Sequence, residues 1–190
     1  MKLFFDNIDS LDQFTHELDH HPESLTCQHC GSQGHFVPHG FVYKNQHIDH
    51  SYEKEPVGKR IMCSNRYGRT GCGRTLRFYL ADYVPALSRA AIHISLFFLA
   101  LITGKPIQSA YTEATHTIDP RNAYRWLSKC QTKIIHYRAA LVNRCGTYSS
   151  AFNWRAQRLQ LLLPTMNDLR NNFSDSFVTD FQLKQQRRFM

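Results

Sequence analysis

Acidic residues are missing from two long stretches of this chain: none lies between Glu55 and Asp82, and none between Asp119 and Asp168. The first stretch holds six bases (Lys59, Arg60, Arg66, Arg69, Arg74 and Arg77). The second holds eight (Arg121, Arg125, Lys129, Lys133, Arg138, Arg144, Arg155 and Arg158). A solvated face of a neutral domain interleaves both signs, so charge of one sign over such lengths points to an anionic partner. The formal net charge is +8. Residues 1–26 run the other way, with six acids against Lys2 alone.

A membrane-spanning run is also lacking. The strongest apolar stretch, Ala90 to Ile102, is interrupted by His93 and Ser95. It falls short of the roughly 20 residues a bilayer needs, so it reads as a buried helix, with His93 a hydrogen-bonded core residue and Leu96-Phe97-Phe98-Leu99 packed inside. Leu3-Phe4-Phe5 is followed at once by Asp6, and no secretory h-region develops. The expected setting is a prokaryotic cytoplasm, with no membrane partner. No G-x-x-x-x-G-K-[ST], G-x-G-x-x-G or G-x-S-x-G occurs, nor H-x-E beside P-C-x-x-C. This leaves no complete catalytic constellation, and a non-enzyme is expected. There is no internal repeat and no low-complexity tract.

Six cysteines occur in 190 residues. In a reducing compartment metal binding outranks disulfides. Cys27 and Cys30 form a C-x2-C pair followed by Gly31. Cys63 arrives after 32 intervening residues, and Cys72-Gly73 follows after an eight-residue insert, Ser64–Gly71. Two such halves complete a tetrahedron of thiolates around one structural Zn2+ ion, with the insert looped out and Cys72-Gly73 as the second knuckle. His29, His35 and His39 lie close enough in sequence to replace one cysteine. Cys130 and Cys145 read as free thiols.

His16-Glu17-Leu18-Asp19-His20 fits the H-E-x-x-H pattern. Asp19 on the face, Pro22 just beyond and the lack of a third ligand at a fixed offset count against a zinc protease. That distant reading predicts a second zinc, lost in His16→Ala.

Leu11, Phe14 and Leu18 recur at helical spacing over residues 7–20, and Pro22 stops them. Gly34–Tyr43, Arg60–Met62 and Thr75–Leu80 read as strands of a small ribbon, and Pro85 as its boundary. A helix is expected from Ser88, its cap, to Thr103, with Gly104 ending it. A second, short helix spans Ile107–Thr115. After a three- or four-residue turn, Asp119-Pro120 starts a long helix to about Asn143, with Ala123, Trp126 or Leu127, Cys130, Ile134, Tyr137 and Leu141 along one face.

The short and long helices form a helix-turn-helix candidate whose second member enters the major groove of double-stranded DNA. Arg121, Arg125, Lys129 and Lys133 make a stripe at four-residue spacing, and Arg121 and Asn122 sit at the helix start, where base contacts fall. Arg66, Arg69 and Arg74 are candidates for gripping phosphates from the ribbon. Arg158–Leu163 reads as a strand or a helical turn broken by Pro164, and Lys184–Met190 as frayed. The expected class is α+β. An acidic helix occupies residues 1–23, a zinc ribbon 24–84, a helix-turn-helix domain 85–146 and an extension 147–190. A zinc ribbon docking a protein through the acidic helix is the alternative.

The runs Gly58-Lys59-Arg60-Ile61-Met62-Cys63 and Gly71-Cys72-Gly73-Arg74-Thr75-Leu76 resemble the N-terminal zinc ribbon of bacterial insertion-sequence transposases. Thr103-Gly104-Lys105-Pro106-Ile107 and Tyr124-Arg125-Trp126-Leu127 resemble the helix-turn-helix that follows it. The resemblance covers about residues 25–140. It implies that Cys27, Cys30, Cys63 and Cys72 hold zinc, that Arg121, Asn122, Arg125 and Lys129 contact DNA, and that the target is a mobile-element terminal repeat, bound by a monomer or a homodimer. Such transposases continue into an RNase H-like domain with three carboxylates. Only 44 residues follow Gly146, and Asp168, Asp175 and Asp180 lie on one short stretch. A transposase-like or accessory DNA-binding protein is therefore expected, not a complete recombinase.

Overall fold

The computed structural model describes residues 3–48, 51–85, 87, 89–145 and 158–190. It is an α+β protein that divides into two compact units, Met1–Tyr83 and Val84–Met190.

The first unit is a four-stranded sheet with one helix. Strands β1 (Phe4–Phe5), β2 (Phe36–Ile48), β3 (Ser51–Cys63) and β4 (Thr75–Leu80) stand in the order β1-β4-β3-β2. β1 runs parallel to β4; the other pairs are antiparallel. Helix α1 (Ile8–His20) starts at Asn7, whose Oδ1 accepts from the Ser10 amide at 2.8 Å. Leu11 and Leu18 are buried among Phe5, Phe36, Ile61, Leu76 and Phe78, and Phe14 packs against Phe5 and Phe78. The acidic segment is thus part of the ribbon's own core.

β2 and β3 form a far longer hairpin than the short pieces expected. The polar segment beyond Tyr43 hides the alternation, and two register shifts, Pro38/Phe41 and Val42/Tyr43, break it further. Pro56 is tolerated in β3 because β4 pairs only with Gly58 to Met62, leaving that side of the strand open at 56. Gly58 is required: a Cβ there would stand 2.1 Å from the Phe78 carbonyl oxygen.

The second unit is helical: α2 (Ala91–Ile102), α3 (Ile107–Thr115), α4 (Arg121–Thr132), α5 (Ile134–Cys145), α6 (Arg158–Phe173) and α7 (Phe177–Gln185). Ser88 lies outside the described residues, and α2 begins at the uncapped Ala90. Phe97 and Phe98 are buried, but Leu99 is half-buried and Leu96 exposed, so that run is only partly core. His93 is half-buried, not fully in the core, and interacts with the Ala90 backbone one turn before it. The expected long helix is two, α4 and α5, with a break at Lys133, whose amide bonds back to Cys130 in a tighter turn. The expected apolar face survives the break: Ala123, Trp126, Leu127, Cys130, Ile134, Tyr137 and Leu141 are all buried. Cys130 is a free thiol, pushed up to about 12 by burial; the Cys145 side chain lies outside the described residues.

The C-terminal segment corrects two expectations. Pro164 does not break α6, because Leu162, Met166, Leu169 and Phe173 bury one helical face around it, and packing outweighs the lost backbone bond. Nor does the end fray. Gln186 takes a left-handed conformation (φ 52°) that turns the chain back, and Phe189 becomes fully buried. Its ring stacks on Tyr137 at 4.8 Å and meets Phe181 edge-on at 5.6 Å. The Tyr137 hydroxyl donates to the Phe189 carbonyl, and the Phe189 amide donates to Gln182 Oε1 at 3.2 Å. Phe189→Ala is expected to destabilise the helical unit by about 3–5 kcal/mol, as other buried Phe truncations do. A urea melt with an unchanged midpoint would contradict this packing.

Candidate metal centre and basic helix face

The sulfur atoms of Cys27, Cys30, Cys63 and Cys72 lie within 4.8 Å of one another. Cys27 Sγ is 3.7 Å from Cys72 Sγ, and Cys30 Sγ is 3.8 Å from Cys63 Sγ. Disulfide sulfurs would be about 2 Å apart. A separation of about 3.8 Å is instead the edge of a tetrahedron with metal–sulfur bonds of about 2.3 Å. The four thiols therefore fit one metal ion. Among the described residues this is the sole group of three or more potential metal ligands brought so close.

Each half is built by local backbone bonds. The Cys27 amide donates to the Ser32 carbonyl at 2.9 Å and the Gly31 amide to the Cys27 carbonyl at 2.8 Å, closing the first knuckle. In the second, Cys63 ends β3 and Cys72 precedes β4, as expected. The Cys63 amide donates to Arg74, the Gly73 amide to Cys63 and the Gly71 amide to Ser64, at 2.7–2.9 Å. These bonds pinch the insert at its base, and Tyr67 at its tip is 97% exposed. The Cys72 amide also points at Cys63 Sγ (3.4 Å), favouring its thiolate.

Thiol acidity diverges across the site. The Ser32 hydroxyl and amide hold Cys30 down, to about 6, whereas burial pushes Cys63 up to about 12. The Cys30 thiolate forms readily, whereas that of Cys63 needs a compensating cation, which a bound dication supplies. A Cβ at Gly71 would stand 2.3 Å from the Ser64 carbonyl oxygen and 2.7 Å from Cys63 Sγ. Gly71→Ala is accordingly expected to lower metal affinity by at least tenfold, read by chelator competition; unchanged affinity would refute this closure of the site.

The histidines expected as substitutes do not join. His29 Nδ1 lies 3.1 Å from an Arg74 guanidinium nitrogen, and His35 Nε2 3.1 Å from Thr70 Oγ1; His39 is exposed. His16 and His20 face each other on α1, Nε2 to Nε2 3.4 Å, exposed and without a third ligand within the described residues.

The basic face of the helical unit is set by Trp126. Its ring packs edge-on against Phe97 at 5.6 Å and Tyr111 at 5.3 Å, holding α4 on α2 and α3. Arg121, Asn122, Arg125 and Lys129 are exposed. The link from α3 is longer than expected, the five residues 116–120. His116 takes the left-handed conformation (φ 54°) that glycine usually supplies after a helix. Pro120, not Asp119, occupies the cap position, while Asp119 Oδ1 accepts from the Arg121 amide at 3.0 Å.

The predicted contacts do not all stand free. Arg121 pairs with Asp119 at 2.6 Å, and that guanidinium holds the Asp119 carboxyl below its usual range. Lys133 Nζ donates to the Arg188 carbonyl at 3.2 Å, which ties it to the C-terminal turn and not to the stripe. Arg69 donates to the Phe36 carbonyl at 3.2 Å, and Arg74 is engaged with His29. Arg66 is exposed. Asn122, Arg125 and Lys129 border a small cavity shared with Arg89, a residue the sequence reading passed over because it lies 36 positions before Arg125.

Comparison of the chain with protein-family models, with curated proteins and with solved structures finds no match. Among the described residues no helix is long and apolar enough to cross a membrane.

Proposed function

We propose that this chain is a zinc-containing protein that binds double-stranded DNA through α4. The observation that carries the reading is the exposed face of Asn122, Arg125 and Lys129, in a stretch without acids. The metal is Zn2+, because four thiolates in a tetrahedron suit that ion, and it is structural, because four protein ligands leave no position for water. In this reading α4 enters the major groove with Asn122, at the helix start, facing base edges and Arg125 and Lys129 on the backbone, while Arg66 reaches phosphate from the ribbon. The role is transposase-like, recognition of a mobile-element end without catalysis by this chain, in a prokaryotic cytoplasm. The cysteine spacing and the Tyr124-Arg125-Trp126-Leu127 run support it.

The test is selection from a randomised duplex library by the zinc-loaded protein at near-physiological salt. A converging motif is the expected result, and its symmetry distinguishes monomer from homodimer. Binding that vanishes as salt rises, with no enrichment, would sink the specific reading.

One observation favours a second reading, a protein-docking module. A groove of about 490 Å³ runs between α1 and the β2–β3 hairpin, with Leu18, Phe36, Phe41 and Ile61 along its walls. It predicts no duplex affinity at physiological salt.

A further inference from the structure

Beside α4 lies a cavity of about 170 Å³ lined by Arg89, Tyr111, Asn122, Arg125, Trp126 and Lys129. Three cationic side chains converge on it and no carboxylate lines it. Among the described residues none of the three is in an ion pair: Asp119, whose carboxylate also feels the Arg125 charge, is paired with Arg121. Like charges gathered around so small a volume repel one another unless an anion sits between them.

Two of the three cationic groups are also held in place. Arg89 donates to Thr117 Oγ1 at 2.6 Å, which draws it toward the α3–α4 link. Arg125 donates to Asn122 Oδ1 at 3.4 Å. Trp126, packed on Tyr111, forms a rigid wall. The field extends to His93, whose imidazole is pushed below its usual range by burial and then by the Arg89 guanidinium.

We infer that this cavity is a phosphate-binding pocket in which Arg89, Arg125 and Lys129 hold a single tetrahedral oxyanion. Drug-sized ligands occupy cavities of about 300–1,000 Å³, so a nucleobase with its sugar does not fit. Guanidinium forks match the oxygen spacing of phosphate, and Lys129 adds a point charge. The inference rests on the DNA-binding reading for its source, a backbone phosphodiester presented to α4. It adds Arg89, from outside the recognition helix, as the residue that locks the helix's register on the duplex.

The test compares the full-length, zinc-loaded protein with Arg89→Gln, which keeps a donor for Thr117 but loses the charge. Inorganic phosphate is titrated first, following the side-chain resonances of Trp126 and Arg125. Saturable shifts in the parent, at least tenfold weaker in Arg89→Gln and restored in Arg89→Lys, are the expected result. Non-saturating shifts, or equal shifts in parent and Arg89→Gln, overturn the pocket. Duplex binding over a salt series then identifies the source. A salt slope about one unit smaller in Arg89→Gln places a backbone phosphate in the pocket. A parent that saturates with phosphate but binds no duplex keeps the pocket as a free-phosphate site and defeats the DNA-binding reading. A parent that binds duplex with a slope identical to that of Arg89→Gln overturns the pocket's part in DNA binding while leaving that reading intact.

Discussion

Cys27→Ser should lose the bound metal and unfold the ribbon around it. Structural zinc contributes about 10–16 kcal/mol of apparent binding free energy in zinc-finger peptides, comparable to or larger than the 5–15 kcal/mol by which whole domains are stable. Cys27 is buried in the ribbon core, so its replacement also puts a hydroxyl among apolar side chains. Cys30 separates the two effects. It is a ligand of the same site but exposed, so Cys30→Ser should lose metal with little packing cost of its own. A chelator added to the parent should reproduce the Cys30→Ser result, and amide exchange at Cys63, Gly71 and Gly73 should accelerate in all three cases. Because cysteine thiols must lose their protons to bind, the metal should be released as pH falls, never as it rises through neutrality. Full metal content in Cys27→Ser, with an unchanged melting curve, would dismiss the site.

The second large effect is expected at Arg125. Arg125→Ala should weaken duplex binding across sequences and flatten the salt dependence by about one unit, as loss of a phosphate contact does. Arg121 provides the internal comparison. Its guanidinium is already paired with Asp119, so part of its charge is cancelled before any duplex arrives, and Arg121→Ala should cost less than Arg125→Ala. Equal losses at the two positions, or an unchanged salt slope in Arg125→Ala, would remove α4 as the recognition element. Fluorescence anisotropy across a salt series measures both quantities.

The metal centre was legible in the sequence because its signal is local. Cys27 and Cys30 share one turn, and Gly73 marks the other knuckle despite the eight-residue insert. The buried face of α4 and α5 was equally legible, since Ala123 to Leu141 keep helical spacing whether or not Lys133 interrupts the backbone. The extent of the β2–β3 hairpin was not. Its far half carries polar side chains, and its pairing is set by cross-strand register, which no short window of sequence contains. The C-terminal segment misled for a related reason. Lys184–Arg188 looks like a solvated tail, and only the left-handed turn at Gln186 reveals that Phe189 completes a core built by Tyr137, Phe177 and Phe181. Among the DNA-contact candidates, the sequence supplied the charges but not their engagements. Lys133 and Arg69 are spent on backbone carbonyls far away in the chain, while Arg89 joins the face from before α2.

The pinched insert between Cys63 and Cys72 separates two jobs that zinc knuckles usually combine. Backbone bonds at Ser64, Gly71 and Gly73 fix the geometry of the candidate metal site, and Arg69 and Thr70 tie the insert back to Phe36 and His35, so it is the exposed tip around Tyr67 that stands clear of that site. That segment is a graft position. Sequences of different length or charge can be exchanged there without retuning coordination, and an exposed aromatic such as Tyr67 can change its partner without unsettling the fold that displays it.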